Sequence, residues 1–400
     1  MILSDFLVIG GGIIGINVAW ELKNLFPDTK VILIEKEKDC GAHASTRNSG
    51  VLHAGFYYSP DSLKAKFTRI GNKLLTEYCD ANRIPVNKCG KLVVAKDPGE
   101  HHHLDELLKR GKANGIELED ITEEEAISIE PRVRTSGRAI FSPTTSSVDP
   151  HKVMQSMVRD AVRKGVEVHR GVCFIKKTAH GVLTSAGMFQ AAYVVNTSGL
   201  HADRVAREFG FSKNYRILPF KGLYLYSNEP LGSIKTNIYP VPDLRNPFLG
   251  VHFTVPVDGK TKIGPTAIPA LWRENYNGLE GCNLRELLDI FVREASLFAS
   301  SDFDFMKLAI DEIRKYSRAR MVSLASLLAH NVKIENYTTW GKPGIRAQLV
   351  DIKARKLEMD FVLEGDDKSI HILNAVSPGF TCSIPFAKYI CKEIQSKGGK

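Results

Sequence analysis

The sequence predicts an α/β fold, with α+β elements, in which a parallel sheet is interleaved with a second region built on an antiparallel sheet. Three observations predict it. Residues 4–35 read as strand, glycine turn, helix and second strand. A second strand-to-helix junction through small residues, Asn196-Thr197-Ser198-Gly199, suggests that the same sheet resumes after an excursion. Between Ile217 and Gly264 the pattern is β-rich but broken by Pro240, Pro242, Pro247 and Pro256, residues that belong at the edges and turns of an antiparallel sheet.

In the first unit, Ser4–Ile9 is an apolar run of strand type, and Gly10-Gly11-Gly12-Ile13-Ile14-Gly15 follows it. An apolar period then runs to Leu25, and Val31-Ile32-Leu33-Ile34 closes on Glu35. This is a Rossmann-like βαβ unit carrying Gly-x-Gly-x-x-Gly, with an acid twenty residues beyond the last glycine. Gly10 permits the tight turn, Gly12 lets a pyrophosphate approach the backbone, and Gly15 lets helix and strand pack closely. The amides of Gly10, Gly12, Ile13, Ile14 and Gly15 face the phosphates at the helix N-terminus, where unpaired N–H groups and the dipole favour anions. Glu35 is placed to accept from ribose hydroxyls. The glycine motif alone is weak; strand, helix, second strand and acid in order turn it into a dinucleotide site rather than a chance glycine turn.

The whole chain bounds the rest. Four hundred residues suit two domains or one large interleaved one, and 43% apolar with 25% charged residues is ordinary globular composition. No apolar run reaches the roughly 18–20 residues that span a bilayer. The N-terminal apolar stretch lacks a basic leader and is interrupted by glycines, so a cytoplasmic chain without a signal peptide is expected. Seven scattered cysteines, odd in number and never spaced Cys-x-x-Cys, argue for reduced thiols and against a zinc or iron–sulfur site. His101-His102-His103 begins a helix, and adjacent helical residues diverge, so no metal is expected there. A net charge of +9 suits nucleic acid, an anionic membrane surface or acidic substrates. The basic residues are dispersed among acids and lack stacking aromatics, so no nucleic-acid partner is expected. Peripheral contact at the inner face of a membrane stays open.

Along the chain, Lys36 to Pro60 is a long irregular stretch, of the kind that is often functional. Helices are expected from about Ser62 to Ala81, Glu100 to Asn114 and Pro150 to Lys164, the last with Asp149 as its cap. Lys91–Lys96, Val166–Arg170, Val172–Lys176, Val182–Thr184 and Phe189–Val195 read as strands, and a helix to Phe209 follows Gly199. Asn283 to about Ala329 is helical in pattern. The chain closes with strand Ile370–Asn374, the turn Ala375–Thr381 and a helix to about Ile394.

Several of these stretches, in order from residue 5 to about 390, resemble the L-2-hydroxyglutarate dehydrogenases and oxidases. They are the opening Gly-Gly-Gly-Ile-Ile-Gly with Glu35, the loop Asn48-Ser49-Gly50-Val51-Leu52-His53-Ala54-Gly55-x-Tyr57-Tyr58, Ser62-Leu63-Lys64-Ala65-Lys66, and Cys89-Gly90-Lys91-Leu92. Ile238–Asp243, Pro247–Thr254, Arg273-Glu274-x-Tyr276, Gly344-Ile345-Arg346-Ala347-Gln348 and Asn374-Ala375-x-Ser377-Pro378 complete the set. The resemblance extends to the wider D-amino-acid-oxidase-like flavoproteins and implies FAD rather than NAD. It implies an FAD-binding domain made of residues 1–85, 147–215 and 340–400, and a substrate domain made of 86–146 and 216–339. The sequence departs from the family at Arg47, where His is usual, at Lys221, where the family has Arg, at Thr266, and at Gly379-Phe380.

A 2-hydroxy acid oxidation needs a base for the hydroxyl proton, cations for the carboxylate, and a flavin facing the C2–H. His53 is the candidate base; its competing role is a hydrogen bond to the flavin or a cap of the loop. Arg346 is the candidate carboxylate clamp, since a guanidinium offers paired donors, against a surface arginine in a turn. Lys221, Tyr239 and His252 are candidates for the substrate pocket, against sheet packing. On the cofactor side stand Glu35 and Lys36, the loop Arg47-Asn48-Ser49, Val172 on the adenine side by family analogy, and Ser198-Gly199. Arg47 pairs with flavin phosphates or with a second substrate carboxylate. A helix opening at Pro378, Gly379, Phe380 and Thr381 would aim its N-terminal dipole at the flavin pyrimidine. Cys40 is considered for a covalent flavin link, against a structural thiol. The resemblance makes a short 2-hydroxy acid the substrate, with L-2-hydroxyglutarate first. Its rivals are an amino acid or glycerol 3-phosphate, then a flavin-dependent RNA-modifying enzyme, then a scaffold without catalysis. Oxygen, a quinone or a soluble carrier all fit as electron acceptor.

Overall fold

The computed structural model describes residues 1–243, 248–284, 286–288, 290 and 305–398. Pro247 and part of the helical stretch expected between Asn283 and Ala329 lie outside the described residues. A central parallel sheet runs in the order Glu167–Arg170, Val31–Glu35, Ile2–Ile9, Gly187–Asn196, Ser369–Asn374. The strands Ile2–Ile9 and Val31–Glu35 hold continuous buried runs, Phe6–Ile9 and Val31–Glu35, because helices or other strands cover both faces. The antiparallel hairpin Phe174–Thr178 and Gly181–Thr184 attaches to the start of Gly187–Asn196, and Val362–Gly365 pairs antiparallel with Ser369–Asn374.

One face of this sheet is covered by the helices Ile13–Leu25, Leu63–Ala81, Pro150–Arg163 and Ser383–Ser396. Ile16, Leu22, Leu75, Met157, Phe386 and Ile390 pack there in one cluster with Phe6 and Leu33. Ser62 accepts from the Ala65 amide and Asp149 from the His151 amide, so two of these helices begin at side-chain caps. The other face packs Leu7, Ile9, Ile32 and Ile34 on Val172, Phe189 and Val205.

A second sheet follows the order Tyr337–Trp340, Leu225–Ser227, Lys262–Gly264, His252–Thr254, Asn237–Pro240, Lys91–Val94, Arg138–Ser142, Glu119–Thr122. It is antiparallel except where Asn237–Pro240 runs parallel to Lys91–Val94. That parallel seam joins two excursions of the chain, which no hairpin connects. The strand Glu119–Thr122 and helix Glu123–Ile129 were not anticipated, although Thr122 and Glu125 form a reciprocal capping box at their junction. A smaller antiparallel sheet pairs Tyr215–Gly222 with Gly344–Asp351 along their whole lengths. The C-terminal helix starts at Ser383, later than the expected opening at Pro378; residues 376–383 form a hydrogen-bonded turn before it. Among the described residues no helix is long and apolar enough to cross a membrane.

Candidate active site

The C-terminal ends of Ile2–Ile9, Val31–Glu35 and Gly187–Asn196 open into a cavity of about 760 Å³ that runs on toward the second sheet. At its nucleotide end, Gly10, Gly12, Ile13 and Ile14 form the wall. Gly15 does not: a Cβ there would meet the Gly10 carbonyl oxygen at 2.0 Å and Thr197 Oγ1 at 2.6 Å, so this glycine is what lets the helix start against the strand. Gly10 has φ +108°, the left-handed region in which glycine is at ease. Glu35 lies beside the turn with Oε2 accepting from the Gly11 amide at 2.7 Å and Oε1 from the Glu37 amide at 2.9 Å. The Ile13 amide, an orphan donor at the helix start, points at Ser45 Oγ, 2.9 Å away. Ser45 was not among the assigned residues, though it belongs to the same polar loop.

Val172, Ser198 and Gly199 line the cavity, as do Pro378, Gly379, Phe380 and Thr381. Lys36 lines it too, with Nζ 2.7 Å from both Glu37 Oε1 and Glu274 Oε1. Glu274 also holds His201 Nε2 at 2.7 Å, and His43 joins Glu37 at 2.9 Å to the Tyr276 hydroxyl at 2.6 Å. This network fastens residues 274–276 to the loop after Glu35. The loop residues Arg47, Asn48 and Ser49 are on the wall but turn their polar groups inward to the backbone. Arg47 donates to the carbonyls of Ala42 and Pro343 and lies 4.3 Å above the Tyr276 ring. Asn48 donates to Ala44 and Ser45 and accepts from Gly50, and Ser49 accepts from Val51. Burial and the Glu35 carboxylate push the Cys40 thiol up to about 11, which keeps it uncharged at neutral pH.

At the other end, His53, Tyr239, His252 and Arg346 converge on the same cavity. Burial, with Lys91 and Arg346 adding repulsion, brings His53 down to about 3, so its imidazole is neutral. His252 is also held well below the ordinary histidine range, first by burial. Its Nδ1 lies 3.0 Å from the Gly250 carbonyl, to which it donates, leaving Nε2 as an acceptor. The Tyr239 and His252 rings stack with centroids 3.6 Å apart. Arg346 faces Phe248, Tyr58, Tyr224 and Glu312. Lys221 does not line the cavity. Phe220 and Gly222 do, and strand alternation sends the lysine between them to the other face, where Nζ meets Asn275 Oδ1 at 3.1 Å. Of the three consecutive histidines, His101 reaches the Ser136 carbonyl and His102 the Gly99 carbonyl, while the His102 and His103 ring centroids lie 3.8 Å apart.

The donor set fits a dinucleotide. An amide-lined helix start, a small-residue turn whose close approach a Cβ would fill, and a carboxylate at the end of the second strand occupy one end of a cavity whose far end is polar. A family model described as FAD dependent oxidoreductase matches residues 5–393. The chain is 32% identical to L-2-hydroxyglutarate dehydrogenase of Escherichia coli K12 over 98% of this chain and 94% of that one. It is 34% identical to the human mitochondrial L-2-hydroxyglutarate dehydrogenase, covering 98% of this chain and 89% of that one.

The chain belongs to the FAD-dependent oxidoreductases, in the L-2-hydroxyglutarate dehydrogenase family.

The fold of this FAD-dependent oxidoreductase is shared with solved structures at lower identity. L-α-glycerophosphate oxidase from Mycoplasma pneumoniae, with FAD bound, superposes with a TM-score of 0.78 at 21% identity, covering 100% of this chain and 98% of that one. Glycine oxidase from Geobacillus kaustophilus gives 0.74 at 18%, covering 99% and 96%.

Proposed function

We propose that this oxidoreductase converts a short 2-hydroxy acid, L-2-hydroxyglutarate first, to the 2-oxo acid. The observation that carries the reading is a neutral, buried imidazole, His53, on the same cavity as a guanidinium, Arg346, beyond the dinucleotide turn. Relatives named for that substrate, at 32% and 34% identity along nearly the whole chain, support it. In this reading Arg346 holds the C1 carboxylate through paired charged hydrogen bonds. His53, uncharged, takes the hydroxyl proton, and Tyr239 and His252 close the pocket around the substrate. The flavin, when bound, supplies the ring that accepts the hydride. The nucleotide half would lie against the turn and helix start of residues 10–14 with Ser45, Glu35 at the ribose, and the turn at Pro378–Thr381.

The same reading divides the chain into an FAD-binding domain of residues 1–85, 147–215 and 340–400 and a substrate domain of 86–146 and 216–339. It places the enzyme in the cytoplasm, with oxygen, a quinone or a soluble carrier taking the electrons. The test is an anaerobic screen of the purified holoenzyme against L-2-hydroxyglutarate, other 2-hydroxy acids, amino acids and glycerol 3-phosphate, read as loss of oxidised-flavin absorbance. Rapid bleaching by L-2-hydroxyglutarate is expected. Bleaching by an amino acid or glycerol 3-phosphate alone refutes the assignment.

A further inference from the structure

Lys91 stands in the middle of the second sheet, paired through its strand with Asn237 on one side and Ser142 on the other. Its side chain is fully buried, and its Nζ has no hydrogen-bond acceptor among the described residues. Instead the ammonium lies 4.5 Å from the ring centroids of Phe56 and Tyr57 and 4.9 Å from that of Tyr239. Ring faces attract a cation, but they do not neutralise it. A buried charge without a counter-ion is costly to a folded chain, so its presence needs a reason outside the resting fold.

The cavity supplies that reason. Tyr239 is both a wall of the cavity and one of the three rings around Lys91. The other wall groups that feel the Lys91 charge are His53 and His252, and both are neutral. Arg346 adds a second cation beside His53, and Lys262 a third beside His252. The carboxylate of Glu312 lies on the same wall and acts on Arg346, but it is shared with Lys315 and the Ala267 amide, and it is not among the groups that act on Lys91. One substrate carboxylate on Arg346 would therefore leave the Lys91 charge unmatched. Its surroundings suit a ligand with two negative charges.

We propose that Lys91 is a specificity-determining residue, whose buried ammonium behind Tyr239 and beside His53 makes the inner end of the cavity select a dicarboxylate 2-hydroxy acid over a monocarboxylate one. The proposal rests on the 2-hydroxy acid reading above. Lys91 acts by charge across the wall and does not itself touch the substrate.

The experiment compares kcat/KM for L-2-hydroxyglutarate and L-2-hydroxybutyrate in the wild-type holoenzyme, Lys91→Met and Lys91→Arg. Methionine keeps the length and removes the charge. The ratio of the two constants is expected to fall on the order of tenfold or more in Lys91→Met, the scale of one charge acting over several ångströms in a poorly hydrated site. Thermal stability of the resting Lys91→Met protein is expected to hold or rise, since an unpaired buried ammonium is lost. A lowered melting temperature with an unchanged ratio would mark the lysine as merely structural and overturn the proposal.

The pH profile gives a second readout. Burial pushes Lys91 down to about 7, while Tyr57 and Tyr239 stay protonated and His53 and His252 stay neutral around it. The wild-type ratio should therefore fall as pH rises through neutrality. Lys262, which burial brings to about 8, titrates nearby, so the Lys91→Arg profile is the control. Arginine keeps its charge, and the ratio should then hold through neutral pH and drop only at the higher step. A wild-type ratio that does not change across this range overturns the proposal without touching the reaction class. A wild-type enzyme that oxidises neither acid overturns both.

Discussion

At the scale of single residues, the proposed chemistry depends on which groups are charged before substrate arrives. Burial leaves His53 neutral and lowers Arg346 without discharging it, since a guanidinium starts far above neutrality. His53→Asn should retain bound flavin and lose about 100-fold or more in kcat, the usual worth of a positioned base. Stopped-flow reduction of the flavin measures it, and an unchanged rate would move the base to His252, whose Nε2 is already an acceptor. Arg346→Met should raise KM by about 10–100-fold, the value of charge-assisted hydrogen bonds to one carboxylate. That His53 and Arg346 reach one cavity was legible only through the motifs Asn48–Tyr58 and Gly344–Gln348 that resemble the family, since neither stretch has a local pattern that singles them out. Lys221 was misread, because a motif gives a residue's position in a strand but not which face it takes. Lys91 carried a signal that went unread: one lysine opening the buried strand Lys91-Leu92-Val93-Val94.

At the scale of elements, the cavity is closed on one side by the segment 273–276, which is held by the Glu274 and Tyr276 network and by a buried ion pair at Arg273. Arg273 Nη1 and Nη2 meet Asp203 Oδ1 and Oδ2 at 2.7 and 2.8 Å, and Asp203 also accepts from the Ile217 amide at 3.3 Å. Asp203 stands on the short helix Ala202–Glu208, directly after the Ser198-Gly199 turn that lines the nucleotide end. Asp203→Ala would leave Arg273 buried without its partner, a loss of about 3–5 kcal/mol. Denaturant unfolding measures that loss, and weaker flavin retention is expected with it, because Glu274 and Tyr276 line the cavity. Unfolding within about 0.5 kcal/mol of wild type would show that the pair is dispensable. The strands and helices of the nucleotide half were readable in sequence because local signals agree there: apolar runs, capping residues and glycine stops. The parallel seam between Asn237–Pro240 and Lys91–Val94 was not, because pairing across some 145 residues leaves no periodicity in either strand.

At the scale of the whole molecule, burying neutral histidines makes the fold depend on pH. His53, His252 and His371 are each pushed below the ordinary range, His53 to about 3 and His371 to about 4, with burial the leading cause in all three. The unfolded chain takes up protons on these rings near their ordinary pKa of about 6.5, and the folded chain does not. Their contribution is therefore complete above about pH 6.5 and is lost as pH falls toward the folded values. The three together should remove on the order of a few kcal/mol by about pH 5.5. Thermal or denaturant unfolding of the flavin-saturated enzyme at pH 7.5 and 5.5 tests this. His371 offers an internal control outside the active site. It lies between Phe209 and Phe211, with Nδ1 3.2 Å from Asn196 Nδ2 and Nε2 3.1 Å from Ser369 Oγ. His371→Gln should cost stability at pH 7.5 but remove about a third of the acid-induced loss. Equal stability at the two pH values would mean that these imidazoles reach water, and the neutral base on which the proposed reaction depends would lose its physical basis.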